Sequence, residues 1–145
     1  MARLGAIGLM VTLLVAGCAS MDSGQMAAKP LYDRLGGKPA ITAVVDDFIG
    51  NVAADARING RFTNANIPRL KAMLVEQICQ ATGGPCTYTG QTMVDAHRGM
   101  DIKDAEFNAL VEDLVKSLDK FKVPAQEKGE LLSALGGMRS QIVGE

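Results

Sequence analysis

The pattern of apolar and polar positions predicts an all-α domain. From residue 38 to 55, and again from 104 to 121, apolar side chains recur every three or four positions and so share one face of a helix. No segment alternates convincingly with the period of two that a half-buried strand requires. The apolar positions of the two stretches are Ile41, Val44, Val45, Phe48, Ile49 and Val52, then Phe107, Leu110, Val111, Leu114, Val115, Leu118 and Phe121.

Proline and glycine positions predict three further helices. Pro68 suits a first helical turn, and the helix that it opens ends at the Gly-Gly-Pro of residues 83–85. Pro124 opens a last helix whose apolar residues continue to Ile142. A short first helix lies around residues 31–35 and stops at a glycine pair.

Residues 83–102 lack helical periodicity and contain His97, the one histidine of the 145-residue chain. A long irregular segment inside a compact domain is usually functional. A single imidazole excludes any metal site or dyad that needs two histidines. With 15 basic and 16 acidic residues, the chain also lacks the basic excess typical of nucleic-acid binding, so we expect no nucleic acid partner.

The first 17 residues predict a lipoprotein signal peptide. Arg3 supplies a positive charge, and residues 4–15 are apolar but too short to span a bilayer comfortably. The Ala-Gly-Cys that follows resembles a bacterial lipobox, which implies cleavage before Cys18 and lipid attachment to it. The alternative is an ordinary signal peptide, with Cys18 buried or removed.

Residues 18–29 are mostly small and polar without periodicity, which is typical of a flexible tether, and the domain then covers residues 30–145. A lipid anchor implies a place in the bacterial cell envelope. Because Ala19 is not the Asp that retains many Gram-negative lipoproteins at the inner membrane, we expect the periplasmic face of the outer membrane.

Two cysteines, Cys79 and Cys86, remain once Cys18 carries lipid. In an oxidising compartment they can form a disulfide that closes an eight-residue loop. The loop-entropy relation gives such a bond roughly 2.5 kcal/mol of stabilisation. Two buried free thiols are the alternative.

Several short motifs are weak alone but specific together. They are residues 31–37 (Leu-Tyr-Asp-Arg-Leu-Gly-Gly), Asp47-Phe48, Phe62, Gly83-Gly84-Pro85, Tyr88-Thr89-Gly90, Met93, Ala96-His97-Arg98-Gly99 and Phe107. With them the chain resembles the group 1 truncated haemoglobins from about Leu31 to Val143. The resemblance implies a shortened globin fold, a sandwich of two helices over two, with a haem b between them.

The resemblance also implies roles for individual residues. Globins hold haem iron by one neutral imidazole, so we expect His97 to be the proximal ligand, with a surface or capping histidine as the alternative. The side chains expected to line the haem slot, or simply to pack the core, are Phe48, Phe62, Leu70, Met93, Phe107 and Leu110. The polar groups expected near the haem propionates are Arg69 and Lys71, which are otherwise two exposed charges, and Tyr88.

The distal side departs from the family's pattern. Members commonly carry a Tyr after the Phe of the second helix and a Gln on the helix that begins near Pro68. Here those positions hold Ile49 and Leu74, and Leu70 is a further pocket-facing position. A hydrogen bond to bound oxygen is worth roughly 1.5–3 kcal/mol, so its loss weakens oxygen retention about ten- to a hundredfold. We expect fast oxygen release and relatively better binding of carbon monoxide and nitric oxide, unless Gln77 turns into the pocket.

Met73 falls where some family members place a histidine that coordinates the iron. A thioether there makes a six-coordinate His/Met haem suited to electron transfer or redox chemistry, whereas the alternative is a flexible side chain that fills the distal core. The expected function is therefore reversible binding of oxygen or another diatomic gas. Electron transfer is the second hypothesis, and a haem-free interaction lipoprotein is the third. We expect no enzymatic cycle, and nitric oxide dioxygenation would need a reductase partner.

Overall fold

A computed structural model describes residues 29–145. The predicted leader, Cys18 and all but the last residue of the tether lie outside the described residues. Within residues 29–145 the elements are helical, and the one β-type contact is an isolated bridge between Ile102 and Val143. The α-helices are α1 (Leu31–Arg34), α2 (Gly37–Ala54), α3 (Ile67–Ala81), α4 (Met93–His97), α5 (Asp104–Lys120) and α6 (Ala125–Gly136), and two 3-10 turns cover Asn59–Phe62 and Arg139–Gln141.

Helix α2 lies at the centre of the domain and packs against both α3 and α5. The six apolar residues that predicted this helix are all buried, and Val45 is fully enclosed. Leu114 and Leu118 of α5 and Val75 and Ile78 of α3 complete the same core. Burial of this apolar area is the main force that holds the three helices together.

Helix α3 begins and ends as the sequence predicts. The Asn66 side chain accepts a hydrogen bond from the backbone N–H of Arg69, which caps the helix, and Pro68 occupies its first turn. At the other end, the buried Thr82 hydroxyl donates to the Ile78 carbonyl at 2.7 Å. Gly83 then takes a positive φ of 80°, which turns the chain away from the helix axis.

Helix α4 was not predicted, because five residues are too few to show helical periodicity. Its N-terminus is fixed by Thr92, whose hydroxyl accepts from the Asp95 N–H and donates to the Asp95 carboxylate at 2.7 Å. The Thr-x-x-Asp spacing was the available signal for this helix. His97 is therefore the last residue of a helix, not part of an irregular stretch.

The predicted last helix is too long. It ends at Gly136, since two successive glycines carry a low helix propensity, and the chain continues as a 3-10 turn. Arg139 holds this tail against the start of α5, where it pairs with Asp104 and stacks 5.1 Å from the Phe107 ring centroid. Phe121, predicted on the buried face of α5, lies just beyond that helix and is 44% exposed.

Across residues 29–145, none of the helices combines the length and the apolar character needed to span a membrane.

Candidate functional site

A cavity of about 390 Å³ lies between α2, α3, α4 and α5. Most of its walls are apolar, and eleven of the residues predicted to form the haem site line it together with His97. They are Phe48, Ile49, Phe62, Arg69, Leu70, Met73, Leu74, Gln77, Tyr88, Met93 and Leu110. A deep apolar cleft with a few polar groups is the usual form of a cofactor site.

One hydrogen bond identifies a ring nitrogen of the half-buried His97 that carries a proton. Its Nδ1 lies 2.7 Å from the backbone carbonyl oxygen of Met93, one turn earlier in α4. A carbonyl can only accept, so Nδ1 carries a proton, and in the neutral form of the ring the lone pair then lies on Nε2. A neutral imidazole whose other nitrogen is held by a carbonyl is the form in which His binds metals. His97 can therefore serve as a single axial ligand at this cavity.

The wall formed by α2 and α3 is apolar where Ile49, Leu70 and Leu74 line it. Gln77 supplies the one amide side chain that α3 places in the cavity. Its Nε2 donates to the sulfur of Met93 at 3.2 Å and lies 3.4 Å from the sulfur of Met138. Thioethers are weak acceptors, and the two contacts connect α3 to α4 and to the C-terminal tail.

Tyr88 lines the cavity with its hydroxyl already engaged. The hydroxyl donates to the Gln91 carbonyl at 2.9 Å, and burial raises the pKa of Tyr88, with the Glu76 carboxylate adding to the shift. The ring folds so closely over Gly90 that a Cβ there would lie 2.2 Å from the hydroxyl oxygen. Glycine at position 90 is therefore needed for the ring to take this place.

The loop over residues 82–92, here called the anchored loop, is tied to α3 at several points. Cys79 and Cys86 form a disulfide with their Cα atoms 5.7 Å apart. The Tyr88 N–H donates to Gln80, and Thr89 donates to Glu76 from both its N–H and its hydroxyl. The two Thr89 bonds hold the pKa of Glu76 below its usual range. The anchored loop thereby connects the α3 wall directly to the α4 wall that carries His97.

Two predicted residues do not line this cavity. The Lys71 ammonium lies 2.9 Å from the Asp46 carboxylate of α2, on the surface beside the site. Phe107 instead borders a second cavity of about 80 Å³, which also touches Phe62 and His97. The exposed Arg69 does line the main cavity, where its charge is available to an acidic group.

Sequence reasoning missed Arg61, which lines both cavities. Its guanidinium forms a fork with the carboxylate of Glu106 and also donates to the Met100 carbonyl at 2.8 Å. These partners lie 45 and 39 positions away, so no local pattern could reveal them. Asn66, Gln91 and Met100 also line the main cavity and were not predicted.

Comparisons with known proteins decide the family. Residues 30–143 match the bacterial-like globin family. The group 1 truncated haemoglobin GlbN of Mycolicibacterium paratuberculosis is 37% identical over 112 residues, which are 77% of this chain and 82% of that protein. This chain belongs to the group 1 truncated haemoglobins. The truncated haemoglobin of Tetrahymena thermophila is 30% identical over 115 residues, or 79% of this chain and 95% of that protein.

Solved structures of truncated haemoglobins also superpose on this truncated haemoglobin. The Fe(III) form of the Tetrahymena pyriformis protein superposes with a TM-score of 0.78 at 28% identity, covering 81% of this chain and all of that one. The 2/2 haemoglobin of a Synechococcus species gives a TM-score of 0.75 at 29% identity, over 79% of this chain and 98% of that one. The predicted two-over-two globin fold is confirmed, and the protein is a haem-binding globin.

The residues of the cavity fit a haem. The walls are mostly apolar, the Nδ1–H of His97 is held by the Met93 carbonyl and leaves Nε2 for a metal, and Arg69 offers a cation at the surface for a propionate.

Proposed function

We propose that this truncated haemoglobin binds diatomic gases reversibly through a haem b held by His97, with an apolar distal wall. The observation that carries the proposal is the Nδ1–H of His97 on the Met93 carbonyl, which leaves Nε2 for iron. When bound, the haem supplies an iron centre at which oxygen, carbon monoxide or nitric oxide coordinates.

The other side chains enclose the haem and exclude water. Phe48 and Phe62, with Met93 and Leu110, cover apolar surface of the macrocycle, whose burial is favourable by about 25 cal/mol per Å². Arg69 would pair with a propionate at the cavity's surface, where the charges would stay partly hydrated. Tyr88 would contact the haem through its ring, since its hydroxyl is engaged by Gln91.

Ligand preference follows from the distal wall. Ile49, Leu70 and Leu74 have no group that can donate to a bound gas, and the Gln77 amide is directed to two sulfur atoms. Oxygen gains more from a donor than carbon monoxide or nitric oxide does. An apolar wall therefore shortens the residence time of oxygen relative to that of the other two gases.

Stopped-flow measurement of oxygen dissociation from the haem-loaded protein tests this proposal. We expect fast release from the natural protein and about tenfold slower release from Leu74→Gln, because the new amide adds a donor. Leu74→Met is the matched control, since it has similar size and no donor, and its rate should stay within about twofold. Slow release from the natural protein, unchanged in every variant, would contradict an apolar distal wall.

We also propose that the domain is tethered to the bacterial cell envelope through a lipid on Cys18, at the periplasmic face of the outer membrane. The apolar segment before Cys18 and the Ala-Gly-Cys sequence support the lipid anchor, and Ala19, which is not Asp, supports the outer membrane. Mass spectrometry of the mature N-terminus should show lipid on Cys18, and Cys18→Ser should leave an unlipidated product. An unmodified Cys18, or a mature chain that starts beyond it, would exclude the anchor.

A further inference from the structure

Arg61 joins three parts of the fold at a single guanidinium. It belongs to the 3-10 turn between α2 and α3, and its side chain is 35% exposed. Nε and one Nη donate to the two carboxylate oxygens of Glu106 at 2.7 and 2.9 Å, while the other Nη donates to the Met100 carbonyl at 2.8 Å. The α2–α3 corner, the start of α5 and the chain just after His97 therefore meet here.

The chain after His97 makes a tight turn whose backbone is unfavourable for most residues. Gly99 has a φ of 75° and Asp101, which is not a glycine, has a φ of 50°. Inside the turn, the Met100 N–H donates to the His97 carbonyl at 3.0 Å. Met100 is thus hydrogen-bonded to His97 through its N–H and to Arg61 through its carbonyl, so that Arg61 acts on the histidine through one residue.

The Glu106 carboxylate holds the Arg61 guanidinium in place, because the carboxylate is itself fixed by a second hydrogen bond. Besides the fork, the carboxylate accepts from the Lys103 N–H at 2.9 Å, which caps the N-terminus of α5. Arg61 and this N–H together hold the pKa of Glu106 below its usual range, which keeps the carboxylate ionised. A forked pair with a fixed carboxylate restricts the guanidinium plane far more than a solvated surface pair does.

We infer that Arg61 is a positioning residue that fixes the orientation of His97 toward the haem, through the Met100 carbonyl. The inference rests on the proposed role of His97 as the iron ligand. Arginine is required at position 61 because two donors occupy Glu106 and a third, at a set angle, reaches Met100. A lysine ammonium keeps the charge but cannot hold this planar arrangement.

The chain offers a matched control in Arg57. Its guanidinium likewise contacts both carboxylate oxygens of one acid, Asp55, and also reaches a residue of α5, Glu112, at 2.7 Å. Arg57 lines neither cavity and makes no hydrogen bond to residues 97–101. The same Arg-to-Lys change at position 57 therefore tests a forked ion pair that has no connection to His97.

The experiment compares Arg61→Lys and Arg57→Lys in the haem-loaded protein. We expect Arg61→Lys to release haem to excess apomyoglobin about tenfold faster than the natural protein, and Arg57→Lys to stay within about twofold. Hydrogen exchange at the Met100 amide should accelerate in Arg61→Lys alone. The iron–histidine stretching band in resonance Raman spectra of the ferrous protein should shift or broaden in that variant alone.

Equal behaviour of the two variants in all three measurements would overturn the inference. Faster haem release in Arg61→Lys without a change at the Met100 amide or the Raman band would also overturn it, since it indicates direct contact with a propionate. If Arg61→Lys folds poorly, Glu106→Gln removes the charge that anchors the guanidinium and should shift the same band. Haem that binds equally well to His97→Ala would refute the proposed iron ligand itself and not only the role of Arg61.

Discussion

The Met93 carbonyl and the Met100 N–H hold His97 from its two ends. The first acts on the ring nitrogen Nδ1 and restricts the turning of the ring, and the second holds the backbone carbonyl. Position 93 is suited to this because it lies one helical turn before His97. Because the acceptor is a backbone carbonyl, any residue type at position 93 can supply it. The side chain at that position can therefore line the cavity.

Met73 provides a prediction at the scale of a single residue. It lines the cavity with Leu70 and Leu74 of the same helix, α3. We expect it to fill space, so Met73→Ala should leave the ferrous absorption spectrum that of a five-coordinate haem, as in the natural protein. Loss of a six-coordinate spectrum on this substitution would instead identify the Met73 sulfur as an iron ligand.

At the scale of elements, the disulfide controls how firmly the anchored loop is held to α3. Reduction should lower the free energy of unfolding by roughly 2.5 kcal/mol, because the unfolded chain regains the entropy of an eight-residue loop. Urea unfolding with and without a dithiol reductant measures this difference. The Cys79→Ala/Cys86→Ala variant should show the lower stability at the outset and no response to the reductant.

The same loop should lose order when the disulfide opens. Beyond its first residues, which bond the end of α3, its remaining ties to that helix are the bonds of Tyr88 and Thr89 to Gln80 and Glu76, which are largely solvent-exposed. Amide exchange at these two residues should therefore accelerate in the reduced protein, while the buried amides of α2 keep their protection. Uniform protection of the loop in both states would show that the hydrogen bonds alone suffice.

The elements differ in how far the sequence predicts them, for physical reasons. Helices α2, α3 and α5 bury a long apolar stripe, and the spacing of that stripe is visible in any sequence. Helix α4 is held by a capping threonine and by neighbours, so its five residues show no stripe. Arg61 acts through long-range hydrogen bonds whose partners become neighbours only on folding. The haem pocket's apolar lining was predictable, whereas the support behind His97 was not.

At the scale of the whole molecule, carboxylates that pair with basic side chains make the free energy of unfolding depend on pH in the acid range. Arg57 lowers the pKa of Asp55 from 3.8 to about 2, and the pKa values of Asp47, Glu106 and Glu130 are lowered by their own basic partners. A lowered folded-state pKa means that the unfolded chain takes up protons first as the pH falls. The stabilisation by Asp55 is therefore complete above about pH 4 and is lost between about pH 4 and pH 2.

Asp55→Asn should consequently make the free energy of unfolding less dependent on pH below about pH 4. We expect the variant to be less stable than the natural protein at pH 7 and to lose less further stability as the pH falls from 4 to 2. Thermal unfolding across this pH range measures both effects. Asp33→Asn, an exposed change on α1, serves as control and should keep the natural pH dependence.

The contact between Tyr88 and Gly90 has a consequence for the evolution of the family. Since a Cβ at position 90 would collide with the Tyr88 ring, Gly90 cannot acquire a side chain while the ring holds this place. A homologue that keeps tyrosine at position 88 should therefore keep glycine at position 90. A homologue that has lost the ring at position 88 can carry a side chain at position 90. Homologous sequences should therefore show the two positions changing together, in that order.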